Sequence, residues 1–448
     1  MKTSLRQFLA ASTVVALAAA GTLTMTAGAD AVSAQAKKRT TDYVFTGYAY
    51  GTKATTGLVG VTSSPTANST VGCTRNTGKR DKEAIVNANA AGVLKLGAVT
   101  SNTSTYRKKG RVGVLSTNQV ANVVLGDPKG VRLEIQGLST KADAYATKNG
   151  KMHAKASFDA LQIKAKTGTP LDDLLDGALN PLNALLKEIQ KQGGNLPIPA
   201  LGVLSLGDKA QNTSKNHARA RATSLRVKLY GPNLVAGGGD DIAVRIGRAN
   251  ARIVKGAISG VMTGSGKAIR GSLLDGAVKV GPLGSKNLKC EGTNGKVLKN
   301  SVAGVNLLNA NLLKVGAVEG RTFGKQRSKG RVNAWTEGRV ANVSLNAGGQ
   351  GIQITGIVGR ANVKRKANGK LVKSIKGSKV AEIKIGGQKI ALPKPGKAIE
   401  IPGVVKISFM VKKKSKTSIQ VTALRIELLD GTVGTLDLGF AKTRVRKS

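Results

Sequence analysis

Aromatic residues are scarce: six Phe, six Tyr and one Trp in 448 residues. Proteins that grip single strands stack bases on aromatic rings set among basic residues, so this scarcity argues against specific nucleic-acid recognition. Histidine is scarcer still. His153 in "NGKMHAKA" and His217 in "SKNHARARA" have no Cys or His at metal-ligand spacing. Both read as solvated surface residues, and no metal or other cofactor is expected. Acidic residues number 24 against 71 Lys and Arg. Asp172, Asp173, Asp176 and Glu188 gather in one segment, where an acidic turn at a helix start is a commoner cause than an acid–base pair. Asp240-Asp241 read as a turn after three glycines. Past residue 36 no apolar run nears the roughly 18–20 residues of a membrane-spanning helix.

The chain opens on Lys2, Arg6 and the apolar "FLAASTVVALAAAG", with small-residue cleavage sites at Ala27-Gly28-Ala29 and Ala34-Gln35-Ala36. Residues 1–36 therefore read as a signal peptide, which predicts an extracellular protein without a transmembrane anchor. A net charge of +47 predicts attraction to polyanions, and outside a cell these are wall polymers, acidic polysaccharide, anionic lipid or released DNA. The basic residues are scattered, which reads first as solvated strand faces. Only Lys364, Arg365 and Lys366 in "KRKANGK", and Lys412, Lys413, Lys414 and Lys416 in "KKKSK", form dense clusters. These seven are the candidate polyanion contacts.

One strand-like sentence is written twice. "GRVGVLSTNQVANVVL" (110–125) and "GRVNAWTEGRVANVSL" (330–345) share eight of sixteen residues. Cys73 falls on Cys290, "LKLGAV" (94–99) on "LKVGAV" (313–318), Asn149-Gly150-Lys151 on Asn368-Gly369-Lys370, and "ATSLRVKL" (222–229) on "VTALRIEL" (421–428). Anchors in one order imply a tandem duplication with a unit the size of a domain. The expected copies are 40–253 and 254–447. Equivalent cysteines near a pseudo-two-fold axis would make a Cys73–Cys290 bridge natural; two free thiols or intermolecular bridges are the alternatives.

Within each copy the period is two. Val131, Leu133 and Ile135 in "VRLEIQ" share a face, as do Val405, Ile407, Phe409 and Val411 in "VVKISFMV". Asn149-Gly150 and Asn368-Gly369 read as two-residue type I′ hairpins. The expected fold is all-β, mainly antiparallel: two tandem homologous domains, each a sandwich or barrel-like. Residues 169–194 break the pattern with a helical period, Thr169 as N-cap and Pro170 at the first turn. This is expected as a helical hairpin inserted in the first copy only.

No catalytic motif emerges. "GVMTGSGKAI" lacks the first glycine and the Ser/Thr of a phosphate loop. "LPKPG" (392–396) matches a sorting signal at four of five places, with Pro395 where the cleaved Thr belongs.

The order of elements resembles the choice-of-anchor P family of secreted actinobacterial proteins. The resemblance rests on "AYGT" (49–52), the lone cysteine after it, "RVGVLSTNQVANVVL", "VRLEIQGLSTKADA", "LPIPALGVLSL" and "ATSLRVKL". It covers most of the first copy, is looser in the second, and implies no enzymatic activity. A non-catalytic secreted or cell-surface protein of structural or adhesive type is expected, held on anionic wall polymers by charge. The alternatives are an enzyme on an acidic glycan or phosphopolymer, using Asp172, Asp173 or His217, and a carrier of apolar ligands with the helical insertion as lid over Leu174, Leu175, Leu182 and Leu185.

Overall fold

Alternating apolar and polar residues let a strand bury one side chain row and solvate the other. In the computed structural model this alternation builds four sheets. The structure describes residues 39–446 apart from 57–64, 91–93, 127–130, 177, 179–180, 199–201, 230–241, 257–258, 274–277, 308–312, 348–349, 403–404 and 429–433. The leader at 1–36 and Asp240-Asp241 lie outside the described residues.

Sheet A runs in the order Asn195–Ile198, Gly202–Leu206, His217–Leu229, Ile242–Lys255, Thr40–Thr56, Ser69–Asn76, with Lys209–Ser214 also on His217–Leu229. Sheet B centres on Arg111–Gly126 and Arg132–Thr147, flanked by Val99–Lys108, Arg80–Ile85, Met152–Asp159 and Gln162–Lys166. Sheet C runs Ala398–Ile401, Val405–Lys414, Ser418–Leu428, Gly434–Arg446, Val261–Leu273, Val278–Asn287. Sheet D centres on Val332–Ala347 and Gln350–Arg365, flanked by Val318–Gln326, Leu298–Val302, Leu371–Ser374 and Glu382–Ile385. The two versions of "GRV…VANV" occupy the same central place in sheets B and D.

The pairings are antiparallel, and A packs on B as C packs on D, in sandwich fashion. None of the sheets closes on itself, which removes the barrel alternative. Opposed sheets here are joined by side chains and not by a continuous hydrogen-bonded ladder, so their edges remain.

Each sandwich has two apolar clusters. In A/B one is aliphatic, around Leu125, Leu133, Ile135 and Ile246, and the other alanine-rich, around Ala142, Ala144, Ala220 and Ala251. Hydroxyls lie between the sheets: Ser116 Oγ donates to the Asn250 carbonyl at 2.8 Å, and Thr140 bonds Ser224. In C/D, Thr443 Oγ1 donates to the Ala361 carbonyl at 2.8 Å and meets Thr336 at 3.0 Å. Bonded across the sheets, these buried hydroxyls avoid the cost of lost hydration.

Two short helices, α1 (Leu171–Asp176) and α2 (Pro181–Lys191), follow the strand Gln162–Lys166. Thr169 Oγ1 accepts from the Leu171 amide at 3.4 Å, and Gly194, at φ +90°, ends the segment by donating to the Ile189 carbonyl. Leu171, Leu175, Leu185 and Ile189 are buried in the aliphatic cluster beside Ile163 and Leu196. The helices thus fill the end of the core.

The hairpins differ from expectation. Two-residue turns with both central residues at positive φ include Lys109-Gly110 (49°, 71°) and Lys329-Gly330 (54°, 68°), each just before the repeated Arg-Val, as well as Asn294-Gly295 and Gly386-Gly387. At 147–151 and 366–370 only the glycine is left-handed, Gly150 at 80° and Gly369 at 81°. There the Gly150 amide donates to the Thr147 carbonyl, and Gly369 to that of Lys366, which makes three-residue loops with glycine in the left-handed place.

Candidate polyanion-binding surfaces

The hairpin geometry places the lysine clusters together. Lys364 and Arg365 end the strand Gln350–Arg365, Lys366 starts the turn, and Lys412, Lys413 and Lys414 end Val405–Lys414. These two hairpins belong to opposite sheets of the C/D sandwich. Lys373 Nζ clasps them by donating to the carbonyls of Ser415 at 2.6 Å and Lys416 at 3.3 Å. Lys364, Lys366, Lys412, Lys413, Lys414 and Lys416 are exposed. Arg365 differs: half-buried, it donates to the Ser259 carbonyl at 2.6 Å. The segments 360–379 and 410–420 contain no Asp or Glu. The A/B sandwich also has a basic tip, a shallow depression between Lys109, Gly110, Arg111, Thr147, Lys148 and Asn149.

A disulfide joins Cys73 to Cys290, with Cα atoms 5.6 Å apart. Val44 and Val261 pack against it, one from each sandwich. Around it Arg252 pairs with Glu291, and Arg446 donates to the Cys73 carbonyl at 2.9 Å. The bridge closes a separation of 217 residues, a loop-closure contribution of about 5 kcal/mol on the chain-entropy scale.

The carboxylates and histidines are occupied separately. Asp172 accepts from the Thr167 and Gly168 amides at 2.9 Å and from the Thr167 hydroxyl at 2.7 Å. Burial opposes ionisation there, but these bonds from Thr167 and Gly168 hold its carboxyl below the usual range. Asp173 and Asp176 are exposed, and Glu188 accepts from Gln192. His217 bonds Ser214 and Asn212 inside its own hairpin, and His153 stacks on Tyr145 at 4.9 Å. Asp172 belongs to the aliphatic end of the A/B sandwich and His217 to the alanine-rich end. Titratable side chains that do meet are Tyr106 and Asp143, at 2.7 Å on the outer face of sheet B. Burial raises both, and Asp143 raises the Tyr106 phenol further. Among the described residues no three His, Cys, Asp or Glu side chains are grouped to hold a metal.

Elsewhere the carboxylates serve as hubs for arginine. Glu337, 1 % exposed, pairs with Arg339 and Arg360. Asp437 pairs with Arg270 at 2.7 Å and Arg425 at 2.8 Å. Asp208 pairs with Arg221 at 2.6 Å, Arg226 at 3.3 Å and Arg248 at 3.5 Å. Gly207 leads into this last hub, and its backbone lies so close to the Thr223 and Ser224 carbonyls that a side chain would overlap them. Sequence reasoning missed these arginines. A partial signal was present in "HARARATSLRVKL", where Arg219 and Arg221 at spacing two mark one strand face; in "AVRIGRANARI" the spacings of three and four hide it.

No family model matches the chain, and no curated protein matches it. Among solved structures, transferrin-binding protein B, a vaccine antigen of Haemophilus parasuis, aligns over 90 % of this chain and 77 % of its own at 7 % identity and a TM-score of 0.09. The toluene transporter TodX of Pseudomonas putida aligns over 90 % and 88 % at 9 % identity and a TM-score of 0.11. Likenesses this slight bear on neither fold nor function.

Proposed function

We propose that the chain is a non-catalytic exported surface protein of structural or adhesive type, retained on anionic wall polymers by its positive charge. In this reading it consists of two tandem copies of one sandwich unit, 40–253 and 254–447, the first carrying the helical insertion 169–194. The common strand order of sheets A and C, and the matching central strands of B and D, support the duplication. The resemblance to choice-of-anchor P proteins belongs to the same reading, with electrostatic retention as the means of anchorage.

The observation that carries the proposal is the convergence of Lys364, Lys366, Lys412, Lys413, Lys414 and Lys416 on hairpins clasped by Lys373, in segments without a carboxylate. Like charges so close repel one another, and a polyanion relieves that repulsion while leaving its own counterions to the solvent. Six flexible ammonium groups suit a mobile polymer better than a small shaped ligand. The test is release by salt. Cells or wall fragments loaded with the protein are washed through rising sodium chloride, and retention should fall steeply as the Debye length shrinks from about 10 Å at 0.1 M to about 3 Å at 1 M.

A further inference from the structure

Sheet A carries a second basic surface of different chemistry. The outward positions of His217–Leu229 and Ile242–Lys255 place Arg219 directly opposite Arg252 and Arg226 opposite Arg245, with Arg221 opposite Asn250 and Arg248 opposite Thr223. The neighbouring strand adds Tyr48 beside Asn250 and Tyr50 beside Arg248. Arg219, Arg226 and Arg245 are exposed, and Arg221 and Arg252 half-buried. Direct cross-strand pairs of like charge are destabilising, and among the described residues this sheet has three, the third being Lys53 opposite Arg245. Among the described residues the carboxylates paired with the stripe are Asp208, shared by three arginines, and Glu291. The Nε atoms of Arg221 and Arg248 are buried without a hydrogen-bond partner. The face therefore holds more cationic donors than its own acids satisfy.

The choice of arginine narrows the ligand. One guanidinium fork meets both oxygens of a planar carboxylate. Arg252 already gives its fork to Glu291 and Arg226 reaches Asp208, whereas Arg219 and Arg245 hold no carboxylate among the described residues. Guanidiniums that reach one anion from different strands suit a tetrahedral group whose free oxygens point in different directions. The basic positions run on from Arg219 and Arg252 through Arg221 and Arg248 to Arg226 and Arg245, over about 23 Å of strand, which suits a chain of linked tetrahedral anions. Bases are poorly served, because Tyr50 is 6 % exposed and Tyr48, half-buried, already stacks on it, which leaves little aromatic surface for them.

We propose that this arginine face is a binding site for a phosphodiester-linked polyol polymer, which it selects over polycarboxylates. The inference rests on the polyanion reading above and deepens it: the lysine hairpins provide attraction, and the arginine face provides the preference for phosphate.

The test uses the full chain and four probes of matched length at one salt concentration: poly(glycerol phosphate), polyglutamate, dextran sulfate and oligothymidylate. Wild-type protein should bind poly(glycerol phosphate) more tightly than polyglutamate by on the order of tenfold, the worth of one or two charge-assisted hydrogen bonds. A charge-conserving variant with Arg219→Lys, Arg226→Lys, Arg245→Lys and Arg252→Lys should bring that ratio close to one and keep its polyglutamate affinity. Replacing Lys412, Lys413, Lys414 and Lys416 by Gln should weaken both equally and leave the ratio alone. Should the fourfold arginine variant melt early, Arg219→Lys with Arg226→Lys alters exposed side chains only and should halve the ratio or more. An unchanged ratio in the arginine variants overturns the inference, as does tighter binding of dextran sulfate or oligothymidylate than of poly(glycerol phosphate). Tight wild-type binding with a ratio near one overturns it alone; no binding to any probe overturns the polyanion reading itself.

Discussion

Arg219 stands directly opposite Arg252 on neighbouring strands of sheet A, and among the described residues only Arg252 of the two has a carboxylate partner, Glu291. Arg219 instead donates from Nε to the Asn250 side-chain oxygen at 3.2 Å. Burial and the surrounding arginines depress its pKa, which marks a cation held at some cost. Replacing it by Thr should therefore stabilise the fold by about 0.2–1 kcal/mol at low ionic strength. The gain should shrink as salt is added. Thermal melts of wild type and Arg219→Thr at two salt concentrations check both signs.

Asp208 should behave in the opposite sense. Burial pushes its carboxyl up, but the Thr223 hydroxyl and the charges of Arg221, Arg248 and Arg226 overcome this and leave its pKa below the ordinary value. A carboxyl depressed in the fold stabilises it above the unfolded pKa of about 4, and loses that contribution as pH falls through the folded value. Asp208→Asn should then cost on the order of 1 kcal/mol near neutrality, allowing for solvent screening. The gap between wild type and variant should close below about pH 4 in melting curves taken across pH.

The helical segment separates a core-filling role from a lid. Leu185 is fully buried and Leu174 is 41 % exposed. Leu185→Ala should cost about 2–5 kcal/mol, as for other large-to-small core substitutions. Leu174→Ala should stay within about 0.5 kcal/mol. Equal, small effects in urea unfolding would favour helices that lie loosely over a cavity.

The disulfide is a second covalent tie between the sandwiches, besides the chain that runs from Ile242–Lys255 to Val261–Leu273. Replacing Cys73 and Cys290 together by Ala should lower stability by up to about 5 kcal/mol. Reductant should bring the wild type down to the same melting temperature and leave the variant unchanged. A wild type that ignores reductant and matches the variant would show that the bridge contributes nothing.

Much of the strand pattern was legible because burial on one face writes itself at spacing two. Leu133 and Ile135 in "VRLEIQ" are both fully buried. The pattern fails where the backbone slips. Met410, at φ +44°, drops out of the pairing between Phe409–Leu424 and Val411–Thr422, so Val411 leaves the core face and Met410 packs against it. The turns were misjudged because Lys is a poor cue for positive φ, whereas Asn-Gly is a strong one that here serves a longer loop. The lysine clusters stood out as runs. The arginine face did not, because its members are spread over 219–252 and become neighbours only when two strands pair in one register. The clasp by Lys373 likewise depends on two sheets meeting, which no local pattern records.

Charge, and above all that of the lysine-rich hairpins of the C/D sandwich, is what we propose holds the protein on an anionic polymer. Retention on immobilised poly(glycerol phosphate) through a salt gradient tests it most directly, with the Lys412→Gln, Lys413→Gln, Lys414→Gln and Lys416→Gln variant run beside the wild type. The wild type should bind at low salt and elute well before 1 M, and the variant should elute earlier. A protein that stays bound in molar salt, or a variant that elutes with the wild type, would contradict it.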